Sequence, residues 1–179
     1  LEEVGAAYRT VLLDLEKGEH KTPKFLAINP MGKLPTIVHK GVVITETAAI
    51  CAYLADAFPA AGLAPATDDP RRGTYYRWLF FGGSCFEPAM VDVMMKRPPV
   101  QKSVAGWGDF DDVKATLKTA LETGPYLLGD QFTAADVYIG SELNWSGMFG
   151  APGIKEEPVF QAYVDRLKER AAFKRASQA

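Results

Sequence analysis

Asn29-Pro30-Met31-Gly32-Lys33-Leu34-Pro35-Thr36 joins a strong turn signal to a proline that opens a strand. Proline cannot donate to a strand ladder, so this position needs a special backbone context. A cis Leu34–Pro35 bond is one solution, and such bonds are rare. It would turn the N–H and C=O of Leu34 outward, where an extended peptide could pair with them by strand addition. The alternative interpretation is a plain turn before a strand edge.

The second informative stretch is Thr45-Glu46-Thr47-Ala48-Ala49-Ile50, where a strand pattern gives way to a helix pattern. The first N–H groups of a helix lack internal partners and its dipole is positive there, so a carboxylate is favoured. The Thr47 hydroxyl and N–H could hold that carboxylate, and Glu46 could pair with an ammonium group beside it. Together they suit the head group of an α-amino acid. The alternative is simple helix capping by Thr45 or Thr47.

The surrounding pattern predicts a small α/β unit. Residues 8–13 are typical of a short buried strand, and residues 23–27 of one or two helical turns capped by Thr22. Residues 35–39 and 42–44 are apolar runs separated by Lys40-Gly41, which predicts an antiparallel hairpin. Helical spacing follows from Glu46 to residue 58. The order is therefore strand, helix, strand, strand, helix.

The rest of the chain reads as helical. Residues 59–69 are rich in Pro, Ala and Gly and form the predicted linker. Residues 1–58 are then the first domain and residues 70–179 the second. The helix containing residues 74–81 is almost wholly apolar, which predicts burial on most sides. Thr133 and Asp136 have the spacing of a capping box, so we interpret both as structural residues.

Composition narrows the functional classes. The 179 residues carry a net charge of −2 and include no basic stripe, which argues against a nucleic-acid partner. No apolar run reaches the roughly 18 residues of a membrane helix. The two cysteines are far apart and fit a reduced compartment, and neither histidine belongs to a Cys/His cluster that could bind zinc.

Taken together, the two motifs resemble the glutathione-binding half of cytosolic glutathione transferases, including bacterial ones. The resemblance covers nearly the whole chain. It includes two further stretches, Gly18 to Lys21 before the first motif and Phe132 to Asp136 in the second part of the chain. It implies a thioredoxin-like domain followed by an all-helical bundle domain. It also implies a cytoplasmic homodimer that uses glutathione as co-substrate, without metal, in detoxification.

The family assigns roles by position. Leu34, followed by Pro35, would pair its backbone with the cysteinyl unit of glutathione. Glu46 and Thr47 would hold the γ-glutamyl head, and His20 and Lys33 would face the glycyl carboxylate. For His20 the alternative is a solvated loop histidine.

The resemblance implies that a thiolate attacks a small apolar electrophile bound in a cleft between the domains. Two alternatives remain on the same fold, because the site and not the fold sets function. One is a binding or scaffold protein without conjugation. The other is a glutathione-dependent isomerase, dehalogenase or reductase.

The family's thiol-activating residue is a Tyr, Ser or Cys just after the first strand or at the start of the first helix. Residues 1–4 are typical of the last turn of a helix, with Gly5 following it. A strand and a helix together take roughly 16–18 residues, so we expect about 20 residues before Leu1. The alternative is a natural variant without this part. Neither case assigns the catalytic group to a residue of this sequence.

Overall fold

The computed structural model describes residues 1–178. Its first part begins with a short 3-10 helix, Glu2–Val4, which ends at Gly5 with a φ of 64°. Helix α1 (Pro23–Leu26) follows, and the Thr22 side chain accepts a hydrogen bond from the Phe25 N–H, as predicted. Strands β1 (Thr36–His39) and β2 (Val42–Thr45) then form the predicted antiparallel hairpin. Lys40 and Gly41 both have positive φ, which matches the twist of a two-residue hairpin turn. Helix α2 (Thr47–Ala57) completes this part.

The prediction of a buried strand at residues 8–13 is wrong for this structure. Residues 6–14 have no regular secondary structure, and the side chains of Val11 and Leu12 are 69% and 88% exposed. A strand exists only where a neighbour completes its hydrogen-bond ladder. The sheet in residues 1–178 contains β1 and β2 alone, so this apolar segment has no ladder to join.

Residues 59–178 are helical or irregular, apart from two isolated β-bridges within residues 126–131. A 3-10 helix (Pro59–Ala61) precedes α3 (Arg71–Phe81), and a π-helical turn (Gly82–Phe86) joins α3 to α4 (Glu87–Met94). Residues 97–108, between α4 and the next helix, contain no helix. The remaining helices are α5 (Phe110–Leu121), α6 (Ala134–Met148), α7 (Pro158–Lys168) and α8 (Ala171–Ala176). The division at residues 59–69 stays a prediction.

The main core lies among the helices of the second part, with α6 at its centre. Helix α6 contacts α2, α3 and α7, so it joins the two parts of the chain. The largest fully buried apolar side chains come from α3, the π-helical turn, α5, α6, α7 and the loop before α7: Tyr75, Leu79, Phe86, Leu117, Ile139, Leu143, Ile154, Phe160 and Tyr163.

Helix α3 departs from its predicted burial. Tyr75, Trp78 and Leu79 face the core, but Tyr76 and Phe80 are 38% and 57% exposed. Composition alone could not distinguish the two faces, because both carry apolar residues.

The predicted capping box at the start of α6 is present. The Asp136 carboxylate accepts hydrogen bonds from the Thr133 N–H and hydroxyl, at 2.8 and 3.0 Å. It also accepts from the Leu127 N–H at 2.8 Å and from the Tyr163 hydroxyl at 2.9 Å. Burial raises the pKa of Asp136, against the opposing effect of these four donors. The residue therefore joins the α6 terminus to the preceding loop and to α7.

Candidate functional site

The loop before β1 is held in shape by Asn29, which is only 2% exposed. Its side-chain N–H groups donate to the Lys33 carbonyl at 2.9 Å and to the Thr36 hydroxyl at 3.2 Å. Its side-chain oxygen accepts from the Met31 N–H at 3.2 Å. Asn29 thus spans the loop on which Leu34 lies. The sequence analysis identified this residue as part of a turn and missed its bracing role.

The Leu34–Pro35 bond is cis, as predicted. The Leu34 side chain is 46% exposed, and strand β1 begins one residue after Pro35. The backbone of Leu34 therefore lies at an open end of the hairpin.

The register of the hairpin brings the two sequence motifs to the same end. Thr36 pairs with Thr45, so Pro35 and Glu46 are the next residues outward on neighbouring strands. Paired residues on antiparallel strands have Cα atoms roughly 4.5–5.5 Å apart. The Leu34 backbone and the first turn of α2 therefore lie side by side.

The first turn of α2 carries an unusual backbone. Glu46 has φ 65° and ψ 120°, in a region that only glycine enters without strain, and such strain clusters at functional sites. No side chain caps this helix end, which removes support for the capping alternative at Thr45 and Thr47. Without a cap, the first N–H groups keep their capacity to bind a carboxylate.

The predicted pair His20 and Lys33 lies beside the same loop. The Lys21 ammonium donates to the Met31 carbonyl at 3.0 Å, which holds the short helix containing His20 against residues 31–32. Gly32 is buried with a φ of 59°, and a Cβ there would be 2.8 Å from the His20 carbonyl oxygen. The His20 Nδ1 is buried and has no hydrogen-bond partner within residues 1–178.

A cavity of about 450 Å³ lies between the first part and the helices. One wall contains Pro35, Ile37 and Ile50, and the opposite wall contains residues of α6, α7 and α8. Pro35 is the single predicted glutathione residue among its lining. The predicted site is therefore an open edge next to this cavity and does not lie inside it.

Two aromatic side chains in or next to the segment 97–108, Trp107 and Phe110, pack with the helical core. Phe110 is 3% exposed and packs edge-to-face against Phe86. The Trp107 indole N–H donates to Asp92 at 3.0 Å, and neither Trp107 nor Phe110 lines the cavity.

The chain matches known proteins along nearly its whole length. Residues 1–56 match the family model of the glutathione S-transferase N-terminal domain. Glutathione S-transferase A of Pleuronectes platessa is 30% identical over 94% of this chain and 78% of its own length. The chain belongs to the glutathione S-transferase family. Glutathione S-transferase 2 of Schizosaccharomyces pombe is 31% identical over 97% of this chain and 85% of its own.

Solved structures of glutathione S-transferases share the fold. A sphingomonad glutathione S-transferase complexed with glutathione is 31% identical, with a TM-score of 0.79 over 98% of this chain and 88% of that one. BphK, a bacterial transferase solved as a ternary complex, is 29% identical, with a TM-score of 0.80 and the same shares covered. The predicted thioredoxin-like domain followed by a helical domain is confirmed for this glutathione S-transferase family member. Within residues 1–178 no helix is both long and apolar enough to cross a membrane.

Proposed function

We propose that this protein binds glutathione at the open end of the hairpin and transfers it to small apolar electrophiles. The observation that carries the proposal is the adjacency of the Leu34 backbone to the uncapped first turn of α2. The Leu34 backbone can form hydrogen bonds with the main chain of an extended peptide, and the first turn of α2 attracts a carboxylate. Glutathione offers both features in one tripeptide.

Each predicted residue has a stated role in this proposal. Leu34 pairs with the cysteinyl unit, and the cis Pro35 follows it. The Thr47 N–H and hydroxyl receive the γ-glutamyl carboxylate, while the Glu46 carboxylate accepts from the ammonium group. His20 and Lys33 face the glycyl carboxylate across the loop that Asn29 holds.

The mechanism on these residues is one of binding and orientation. A site that favours thiolate over thiol lowers the pKa of the sulfur, so more nucleophile is present at neutral pH. The apolar electrophile would lie in the cleft between residues 1–58 and residues 70–179, where water is excluded. Support comes from the relatives and from the apolar walls of the neighbouring cavity.

The experiment is calorimetric titration with glutathione. Glu46→Ala and Thr47→Ala each remove one contact to the γ-glutamyl head and are expected to weaken binding at least about tenfold. Glu156→Ala is the control, because Glu156 is an exposed carboxylate elsewhere on the surface. Equal affinities in all four proteins would refute the site. Conjugation measured with a haloaromatic electrophile then separates a transferase from a binding protein.

We further propose a homodimer through the exposed face of α3. The rings of Tyr76 and Phe80 lie 6.1 Å apart, and the Arg72 guanidinium lies 4.9 Å from the centroid of Tyr76. Exposed aromatic residues on one helix face are typical of an interface. Phe80→Glu should convert the dimer to monomer in sedimentation at micromolar concentration. Val104→Glu, which alters a side chain that is 74% exposed, should leave the dimer intact.

A further inference from the structure

Arg72 is a buried cation that joins three segments of the chain. It lies in the first turn of α3, and its side chain is 8% exposed. One terminal nitrogen donates to the Pro65 carbonyl at 2.6 Å, and the other donates to both oxygens of the Asp56 carboxylate at 2.7 Å. Pro65 belongs to the segment 59–69, and Asp56 lies in the last turn of α2. A single carboxylate therefore balances the guanidinium charge, and both terminal nitrogens are already hydrogen-bonded.

Two buried polar atoms in this region have no hydrogen-bond partner within residues 1–178. They are the Nε atom of Arg72 and the hydroxyl oxygen of Tyr75. Tyr75 follows Arg72 by about one turn of α3, and it is 0% exposed. The guanidinium Nε–H can only donate a hydrogen bond, whereas a phenol can donate or accept one. Buried polar groups in folded proteins almost always have a partner, so both atoms require an explanation.

Both atoms belong to the contact between α2 and α3. The central guanidinium carbon of Arg72 lies 5.2 Å from the centroid of the Tyr75 ring. Burial raises the pKa of Tyr75, and the strongest charge effect on it comes from Arg72, followed by Asp56 and Cys51. Asp56 and Cys51 are residues of α2. The Tyr75 hydroxyl therefore lies near the α2 side of the contact, in the same buried region as the guanidinium.

The chemistry of these atoms favours a small neutral ligand. The ligand must accept a hydrogen bond from the Arg72 Nε–H and form one with the Tyr75 hydroxyl. An anion is disfavoured, because Asp56 already balances the guanidinium and a second negative charge would be buried without a counterion. Neither Arg72 nor Tyr75 lines the cavity of about 450 Å³, so the region is separate from it. Water meets these requirements, since it both accepts and donates and commonly binds to buried polar groups.

We propose that ordered water is bound at the contact between α2 and α3, where it accepts a hydrogen bond from the Arg72 Nε–H and hydrogen-bonds to the Tyr75 hydroxyl. This internal hydration site completes the polar contact that Arg72 makes with α2 and with the segment 59–69. Water bound in this way is part of the folded structure and is costly to remove. None of the residues assigned to glutathione takes part, so the site is tested independently of the proposed function.

The first test is the stability of Tyr75→Phe, measured by urea unfolding. Phenylalanine removes only the hydroxyl, so the sign of the change is informative. If the hydroxyl is hydrogen-bonded to water, its loss should lower the folding equilibrium constant by about two- to tenfold. If it is unpaired, its removal should raise that constant, because a desolvation penalty disappears. Tyr163→Phe is the control that should lower the constant, since the Tyr163 hydroxyl donates to Asp136 at 2.9 Å.

The second test detects the water directly, by NMR spectroscopy of the full chain. The Arg72 Nε–H signal, identified by its absence from Arg72→Lys, should show a dipolar cross-peak to water. Such a cross-peak changes sign between laboratory-frame and rotating-frame spectra, whereas a peak from proton exchange does not. The Arg170 Nε–H donates to Glu3 at 2.7 Å and is the control that should lack it. A Tyr75→Phe variant at least as stable as the unchanged protein, or no dipolar cross-peak at the Arg72 Nε–H, would overturn the proposal.

Discussion

Replacing Asp136 by alanine is the sharpest test of how the second part of the chain is held together. The fully buried carboxylate accepts four hydrogen bonds, two of them from the backbone N–H groups of Leu127 and Thr133. These N–H groups cannot rotate away, whereas the hydroxyls of Thr133 and Tyr163 can. Leaving two buried N–H groups unpaired costs about 1–3 kcal/mol each, so Asp136→Ala should lower the free energy of unfolding by about 2–6 kcal/mol.

Asp109 is the matched control, because it also caps a helix. Its carboxylate accepts from the Asp112 N–H at 2.9 Å at the start of α5, but its side chain is 42% exposed. Water can replace the lost acceptor there, so Asp109→Ala should cost clearly less. Urea unfolding at fixed protein concentration, followed by circular dichroism, measures both changes.

Glutathione affinity adds a second readout for Asp136→Ala. It should stay unchanged wherever the variant is folded, because the capping box does not belong to the binding site. If Asp136→Ala proved no more destabilising than Asp109→Ala, the idea that the buried Asp136 carboxylate stabilises the fold more than an exposed cap does would be refuted.

Three further predictions concern titration, packing and backbone strain. Burial first, and then the charge of Glu87, raises the folded-state pKa of Glu142 to about 7, above its ordinary value of 4.5, so the folded state binds more protons between these pH values. Stability should therefore fall by up to about 3 kcal/mol as pH rises from 4.5 to 7, and urea titrations of Glu142→Gln should lack this slope. Gly82→Ala should lower the melting temperature, because the added Cβ would lie 2.6 Å from the Tyr138 ring. Gly73→Ala is the control and should raise the melting temperature slightly, because its Cβ would have no neighbouring atom within 4 Å and alanine favours a helix. Glu46→Gly should relieve part of a backbone strain of about 1–3 kcal/mol at this position, while glutathione binding falls because the carboxylate is lost. Thermal melts should therefore show Glu46→Gly to be at least as stable as Glu46→Ala. A lower melting temperature for Glu46→Gly would contradict the assignment of strain to Glu46.

Much of the fold and of the candidate site could be predicted from the sequence, because several of their features depend only on neighbouring residues. The capping box, the Lys40-Gly41 turn and the cis bond before Pro35 each depend on a few neighbouring residues and their intrinsic backbone preferences. The hairpin register then follows from the short turn, and it brings the Leu34 backbone next to the start of α2. Glutathione binding at that place stays a prediction.

Other features depend on partners far away in the sequence. Residues 8–13 have the composition of a strand, but a strand forms only beside another, and none pairs with them within residues 1–178. Which face of α3 is exposed depends on where the other helices lie, since Tyr75 and Tyr76 have the same chemistry and opposite surroundings.

The sequence by itself determined the short-range geometry of this protein: its turns, helix starts and the family to which its motifs belong. The tertiary structure alone decided the positive φ of Glu46, the bracing role of Asn29 and the approach of Glu87 to Glu142. The physical reason is the distance along the chain over which each effect acts. Turn and cap preferences act over about four residues, whereas burial, charge proximity and strain are set by whichever segments the folded chain packs together.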